Sequence, residues 1–431
     1  MADYTQAIIH FDGDSFFASV EQALDYRLRG KPVVTGAERG AATSLSHEAK
    51  LRGVHRSMNM KEIRRICPEA ILVPSNYTAY SVFAQRMYRI AREFTPFVEE
   101  YSIDECFADI TGLAEDRGTT YEAIALAVKA KLEQSLGVTF GVGLAPSKTL
   151  AKVASKYHKP AGFTSIPNDA IEDILRDMPV HDIWGLGGSS SATLKNLGVH
   201  TALEYAQKSD AWMREHNLAK PMREIWLELQ GYAIKQLTLT HSHRIKSIMK
   251  TRTFTPPSLD QAYIFSQLSK NVEAACQGLR WRHAKARAGS FYLKTQEFTY
   301  HSVSLGFPTP TNDPSEVLKA IAAHFSKVYA TEILYRASGV TLHTLVPDEV
   351  ETPDLFGDSV LAQEKEGTLI SVDALNRRHG HHTVFLGSTL AALSERKDAP
   401  ARKKNIHTPK FLQAGDSLKK SLNIPYLGTV H

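Results

Sequence analysis

The chain has 431 residues, 43% of them hydrophobic and 23% charged, with a formal net charge of +5. That length accommodates three or four domains and a sizeable core, and the composition excludes disordered and fibrous classes. No apolar run approaches the roughly 18 residues of a membrane span, no basic-apolar-small signal opens the chain, and Cys67, Cys106 and Cys276 lie far apart without metal-ligand spacing. The expectation is a cytoplasmic or nucleoid protein with no membrane partner and reduced, structural thiols. So mild a positive charge permits a nucleic-acid partner without demonstrating one, which leaves that question to local clusters.

In chain order, Ala7-Ile8-Ile9-His10-Phe11 is a short apolar run of the buried-strand kind. It ends in Asp12-Gly13-Asp14-Ser15, ahead of a helical pattern from Phe16 to Glu21. Asp14 is the natural helix cap, which leaves Asp12 without a local role. Residues 22–75 read as an inserted lobe. Its strand Lys31 to Gly36 and small-residue strand Gly40 to Ser46 lead into a helix carrying His47, Lys50 and Arg52. Tyr80, Phe83, Ala84, Met87, Ile90, Ala91 and Phe94 recur at helical spacing as the core face of an amphipathic helix.

The stretch Glu99 to Ile110 organises what surrounds it. Val98, Ile103, Phe107 and Ile110 flank the adjacent acids Asp104 and Glu105, a strand-turn-strand pattern that sets both acids at a hairpin tip. An isolated acid pair in a turn is ordinarily just solvated. Together with Asp12 at the end of another strand, however, the pair forms a set of hard oxygen donors. With the carbonyl of Gly13, these carboxylates can hold two divalent cations, which clamp the attacking and leaving oxygens of a phosphoryl transfer. A further helix (Tyr121 to Leu132) and strand (Val138 to Leu144) complete an antiparallel sheet with helices on one face.

Lys148, Lys152, Lys156 and Lys159 follow at spacings of four, four and three, the first three along one helix face. Like charges so placed repel unless an anion lies beside them. From about 166 to 235 the pattern is helical around Trp184-Gly185-Leu186-Gly187-Gly188, where Gly185 and Gly187 let the backbone approach a phosphate at a helix N-terminus. Leu237 to Thr255, which includes Arg252, reads as a basic linker. Beyond it helices and strands alternate to Leu345, with Arg280, Arg282, Lys285 and Arg287 clustered before the first long strand. Acids then dominate Pro347 to Glu351, and the C-terminal stretch, rich in Lys, Pro, Gly and Ser, reads as a tail.

The segment Ile8 to Glu21 and the hairpin Tyr101-Ser102-Ile103-Asp104-Glu105 together resemble the Y-family translesion DNA polymerases, most closely the UmuC branch and next the DinB branch, as far as about Leu345. The resemblance implies an α+β, multi-domain right-hand polymerase. A ferredoxin-like palm (1–165) would carry small fingers (about 22–75), followed by a helix-hairpin-helix thumb (166–235), a little finger (236–345) and a C-terminal region (346–431). It implies lesion-bypass synthesis by two Mg2+ ions, with Asp12 and Asp104 bridging both and Glu105 on the primer side. Nucleotide contacts would come from Phe16, Phe17, Ser44, His47, Lys50 and Lys159. Phe17 would exclude ribose, and His47 stands where the DinB branch has tyrosine. Primer-template DNA would meet Lys148, Lys152, Gly185, Gly187, Arg252, Arg280, Arg282, Lys285 and Arg287. Thr352-Pro353-Asp354-Leu355-Phe356 stands where the family carries a clamp-binding peptide, of which Leu355 and Phe356 match. Accessory mutagenesis subunits would be further partners. A catalytically inactive polymerase-like accessory protein is the alternative; it would have lost one of the three acids, and all three are present.

Overall fold

The computed structural model describes residues 4–239, 245–348, 358–380 and 382–394. These divide into two compact units, one within Met1–His241 and one within Ser242–Lys404.

The first unit begins with β1 (Ile8–Gly13) and α1 (Phe16–Leu24). There follow β2 (Val33–Thr35), β3 (Ser44–Leu45), α2 (His47–Leu51), α3 (Met60–Ile66) and β4 (Ile71–Val73). These form a three-stranded lobe, order β3-β2-β4, around Val34, Leu45, Ala49, Val54 and Ile63. Next come α4 (Tyr77–Arg92), β5 (Val98–Ser102), β6 (Glu105–Asp109), α5 (Leu113–Arg117), α6 (Tyr121–Leu136), β7 (Phe140–Ala145), α7 (Lys148–Tyr157) and β8 (Phe163–Ser165). The main sheet runs β5-β6-β1-β7-β8.

Alternation along β1 decides what each face of this sheet buries. Ile9 and Phe11 join α4 and α6 in one core, whereas Ile8 and Phe107 join α7 in another. The expectation of helices on one face is therefore corrected: α7 covers the second face. The sequence reason is the Gly-x-Gly of β7. A Cβ at Gly143 would come within 2.1 Å of the Ala151 carbonyl oxygen, and one at Gly141 within 2.4 Å of that of Ser155. Only glycine lets the α7 backbone lie so close. The sheet is also not wholly antiparallel, since β8 pairs with β7 in parallel.

The helices α8 (Ile171–Leu175), α9 (Gly188–Asn196), α10 (Ala202–Ala206), α11 (Asp210–Glu215) and α12 (Lys220–Leu229) bury Leu175, Ile183, Leu194, Val199, Tyr205 and Ile225 in the same core as α7.

The second unit comprises β9 (Ser247–Ser258), α13 (Gln261–Arg280), β10 (Ala284–Thr295), β11 (Tyr300–Thr311), α14 (Pro314–His324), β12 (Tyr335–Pro347), α15 (Asp358–His379) and α16 (Leu390–Ser394). Its sheet, β11-β10-β12-β9, is antiparallel throughout. Leu268, Val272, Phe291, Leu293, Ile321 and Val340 pack between it and α13 and α14. The basic "linker" is mostly β9, an edge strand that buries Ile248 and Phe254 and turns Lys250 and Arg252 outward. An edge strand with charges on its open face resembles a linker when pattern alone is read. Residues 358–394 continue this unit instead of leaving it at 345: Asp373 of α15 binds Arg280, and Thr389 meets Ser269 on α13 at 2.9 Å. Leu355, Phe356 and the tail beyond 394 lie outside the described residues.

Candidate functional site

Asp12, the penultimate residue of β1, stands in register opposite Glu105, the first residue of β6. Gly13 N–H donates to the Asp104 carbonyl at 2.8 Å, which draws the β5–β6 turn onto the same strand end. A Cβ at Gly13 would come within 2.6 Å of the Phe16 ring. The three acids, far apart in sequence, thus meet where two strands and a turn converge.

Their electrostatics differ. Burial, with the charges of Asp12 and Glu105 added, raises the Asp104 carboxyl above the usual range, although Ser102 Oγ donates to it at 2.8 Å. Burial opposes ionisation of Glu105 as well. Hydrogen bonds from His10 Nε2 (2.8 Å) and Lys152 Nζ (2.7 Å) overcome it and hold that carboxyl at about 2. His10 is fully buried, which lowers the pKa of its ring against the pull of Glu105 and Asp12. Its Nε2 faces the Glu105 carboxylate and its Nδ1 lies 2.7 Å from Ser155 Oγ, the hydroxyl that donates to the Lys152 carbonyl at 3.0 Å. Asp12 Oδ1 accepts from Lys159 Nζ at 2.5 Å.

Asp14 does not cap α1. The cap position is Ser15, with left-handed backbone and no side-chain bond. The Asp14 carboxylate instead accepts from Ala161 N–H at 2.7 Å and Thr139 Oγ1 at 3.0 Å, tying the end of β1 to the loop that carries Lys159.

Whether the acids suit a metal follows from their chemistry: carboxylate oxygens are the donors hard divalent cations take. Among the described residues no three metal-binding side chains are gathered into a finished cage, since Glu105 is turned to His10 and Lys152 and Asp12 to Lys159. Two features nevertheless fit cations. An ammonium already sits on Asp12, and Asp104 carries a like-charge burden that a cation relieves.

Around the acids, Phe16 is buried in the core, whereas Phe17 is half-buried and stacked on Tyr80 with ring centres 4.3 Å apart and planes 10° apart. His47 and Lys50 are exposed on α2. Partial burial and the neighbouring Arg56 and Lys159 lower the Lys50 pKa, against the pull of Asp14 and Asp12, so cations and acids share one locality. Arg56, beyond the end of α2, was not anticipated. Ser44 is buried, and its hydroxyl donates to the Ser15 carbonyl at 3.2 Å, fastening the inserted lobe to α1.

Lys148 and Lys152, expected to face DNA, are turned inward. Lys148 is paired with Glu99 at 2.6 Å and Lys152 with Glu105, all at most slightly exposed. The anion beside the lysine stripe is the protein's own pair of carboxylates, because α7 packs flat on the sheet that carries them. Lys156, one turn on, stays exposed. Gly185 and Gly187 are exposed in the hairpin before α9. Gly185 has φ +91, and a Cβ there would come within 2.7 Å of Ile225.

In the second unit Arg252, Arg282 and Arg287 are exposed. Arg280 and Lys285 are not, which corrects their assignment to DNA. Arg280 is buried in a two-pronged bond to Asp373 (2.7 and 2.9 Å) with a third bond to the Asn312 carbonyl, and Lys285 is buried within 3.3 Å of Glu366. Both carboxylates come from α15, whose docking on this unit the sequence pattern did not reveal.

The impB/mucB/samB family model matches residues 11–156, the IMS family HHH motif 168–199 and the impB/mucB/samB C-terminal domain 245–355. The DNA polymerase IV of Desulfatibacillum aliphaticivorans is 30% identical over 382 residues, covering 88% of this chain and 95% of its own. DNA polymerase IV 1 of Bacillus subtilis is 29% identical over 409 residues, covering 90% of this chain and 94% of its own. A solved Y-family DNA polymerase chimera superposes with a TM-score of 0.66 at 22% identity, covering 79% of this chain and 99% of that one, a likeness of fold.

Proposed function

From the premise that the chain belongs to the impB/mucB/samB family, the Y-family DNA polymerases, we infer a template-directed DNA polymerase of the translesion kind, which adds deoxynucleotides to a primer 3′ end in damage tolerance and repair. The observation that carries this reading is the meeting of Asp12, Asp104 and Glu105 beside Lys159 and Lys50.

Asp12, Asp104 and Glu105 would hold two Mg2+ ions, Asp12 and Asp104 serving both and Glu105 the one on the primer side, and the chemistry the ions would supply is activation of the primer hydroxyl and neutralisation of the leaving pyrophosphate. Lys159, Lys50 and Arg56 receive the triphosphate, with Lys159 giving up Asp12 for phosphate oxygens as nucleotide arrives. Lys50 grips phosphate as a point charge, without the two-pronged geometry of an arginine, and His47 beside it on α2 is a further nucleotide contact. Phe17, backed by Tyr80, stands beneath the sugar. Gly185 and Gly187 bring backbone N–H groups to the DNA backbone, and Arg252, Arg282 and Arg287 hold duplex phosphates without reading sequence.

The inactive accessory reading has nothing in its favour, because none of the three acids is lost. Leu355 and Phe356 keep the clamp proposal on sequence alone, as do accessory subunits. No helix among the described residues is long and apolar enough to cross a membrane, and we place the protein in the cytoplasm at the nucleoid. Primer extension by the purified chain, on intact and lesion-bearing templates with Mg2+ or with chelator, tests the whole reading. Extension in Mg2+ alone is expected; DNA binding without extension in any divalent metal would restore the accessory alternative.

A further inference from the structure

Glu105 is held by Lys152, and Lys152 is itself enclosed by aromatic rings. Its ammonium lies 4.5 Å from the ring centre of Tyr101 and 4.9 Å from that of Trp184. The two rings meet edge to face at 5.3 Å, and both rest against Phe107, at 5.6 and 5.8 Å. A second ammonium, that of Lys235, lies 4.6 Å from the Trp184 ring. The Lys235 backbone N–H donates to Glu228 at 2.8 Å, and the same buried carboxylate accepts from Thr149 N–H at the start of α7. Trp184 is thus the closing wall of a box around the lysine that holds Glu105. It is also the residue immediately before Gly185, so the same short segment touches the box and begins the glycine hairpin.

A core tryptophan would need no cations. This one is half-buried with two ammonium groups at its ring, the arrangement in which the negative ring face stabilises charge most where water is partly excluded. Without the ring, Lys152 keeps Tyr101 and its bond to Glu105 but loses one wall of the box, and Glu105, with His10 as its other anchor, is held less firmly at the lysine side.

We propose that Trp184 is a positioning residue for Glu105, acting through Lys152, and that it links the seating of the glycine hairpin to the orientation of that acid. The proposal rests on the reading of Glu105 as an acid of a polymerase site.

The test uses the full chain on a primer-template under single-turnover conditions. Trp184→Leu keeps an apolar side chain and removes the ring; Trp184→Phe keeps a ring. Trp184→Leu is expected to lower the maximal incorporation rate about tenfold while nucleotide and DNA affinities stay within about twofold, and Trp184→Phe to recover most of the rate. Parent extension in the same assay checks the underlying reading separately. A Trp184→Leu rate equal to the parent's, or equally slow Leu and Phe variants, overturns the positioning role.

Emission supplies a readout independent of turnover, and one that does not need Trp184→Leu to fold. The Trp184 signal, taken as parent minus Trp184→Phe, should shift in Glu105→Gln, because the ammonium beside the ring loses its carboxylate. An unshifted spectrum also overturns the proposal.

Discussion

Two basic stripes, Lys148-Lys152-Lys156 in the first unit and Arg280-Arg282-Lys285-Arg287 in the second, look alike in sequence and are sorted by the same rule. In each, the members facing the fold are buried on carboxylates brought from elsewhere: Glu99 and Glu105 for the first, Asp373 and Glu366 for the second. The members facing away, Lys156, Arg282 and Arg287, stay exposed. The difference is what the carboxylate does. Asp373 and Glu366 fasten a helix, whereas Glu105 belongs to the acid corner, so its lysine partner tunes a functional group. A cationic stripe therefore reads as a nucleic-acid face only for the members that the fold leaves outside.

The acids give the largest expected effect. Removal of a ligand from a two-metal site takes away stabilisation made in the transition state, so Asp104→Ala or Glu105→Ala should lower primer extension about 1000-fold or more with primer-template binding retained. Near-normal extension by either variant in Mg2+ would refute the assignment. On the structural side, Arg280→Ala leaves Asp373 buried without its cation. Breaking a buried pair from one side costs about 3–5 kcal/mol, and the second unit should unfold at correspondingly lower denaturant while the first is unaffected. Coincident loss in both units, or none, would refute the pairing.

The legible parts of the molecule were those written in short stretches. β1, the β5–β6 hairpin and the glycine hairpin each lie within a dozen residues and carry their own turn chemistry. The illegible parts depended on distant partners. Lys148 meets Glu99 across 49 residues and Arg280 meets Asp373 across 93, and no local pattern distinguishes such a cation from a solvated one. Some signals were present but unread. His10 shares a strand face with Asp12 by alternation alone, and the glycines at 141 and 143 announce a helix on the second face. Arg56 lies beyond the helix that carries His47 and Lys50, outside any helical spacing that would point to it.

Glu21 is a buried carboxylate that, among the described residues, has no cationic partner. Tyr80, stacked beneath Phe17, donates to Glu21 Oε1 at 2.5 Å, but burial outweighs that bond and pushes Glu21 up to about 7, where Lys152 and His10 hold Glu105 at about 2. The folded state thus holds the Glu21 proton more tightly than the unfolded chain. The associated stability is complete below about pH 4.5 and is lost as pH rises to about 7, amounting to about 3 kcal/mol. Glu21→Gln cannot lose a proton, so relative to the parent it should gain stability over that interval and no more above it. Parallel denaturation curves at pH 5 and pH 8 measure this; a constant difference between the proteins would show that Glu21 titrates normally.

Tyr80 also bears on sugar choice. Phe17→Ala should accept ribonucleotides at least about tenfold more readily than the parent, because a ring that excludes by overlap leaves no penalty when removed. Phe16→Ala, in the core, should instead lose about 3 kcal/mol of stability. Matched single-nucleotide incorporation kinetics decide it, and an unchanged preference in Phe17→Ala places the gate elsewhere.

The smallest effect is the one that most directly tests the sorting of the stripes. Arg287 sits seven residues after Arg280, with the same side chain and, in sequence, the same claim to DNA. Being exposed on β10, Arg287→Ala should leave stability within about 0.5 kcal/mol. If its guanidinium meets a phosphate, losing it releases one counterion fewer, so the slope of log affinity against log salt should shrink by about one. Arg280→Ala, measured on protein that is still folded, should leave that slope unchanged, since its guanidinium is already spent on Asp373 and Asn312. Identical slopes for Arg287→Ala and the parent would mean that exposure alone does not make a DNA contact. A reduced slope for Arg280→Ala would mean that the buried pair opens when DNA binds.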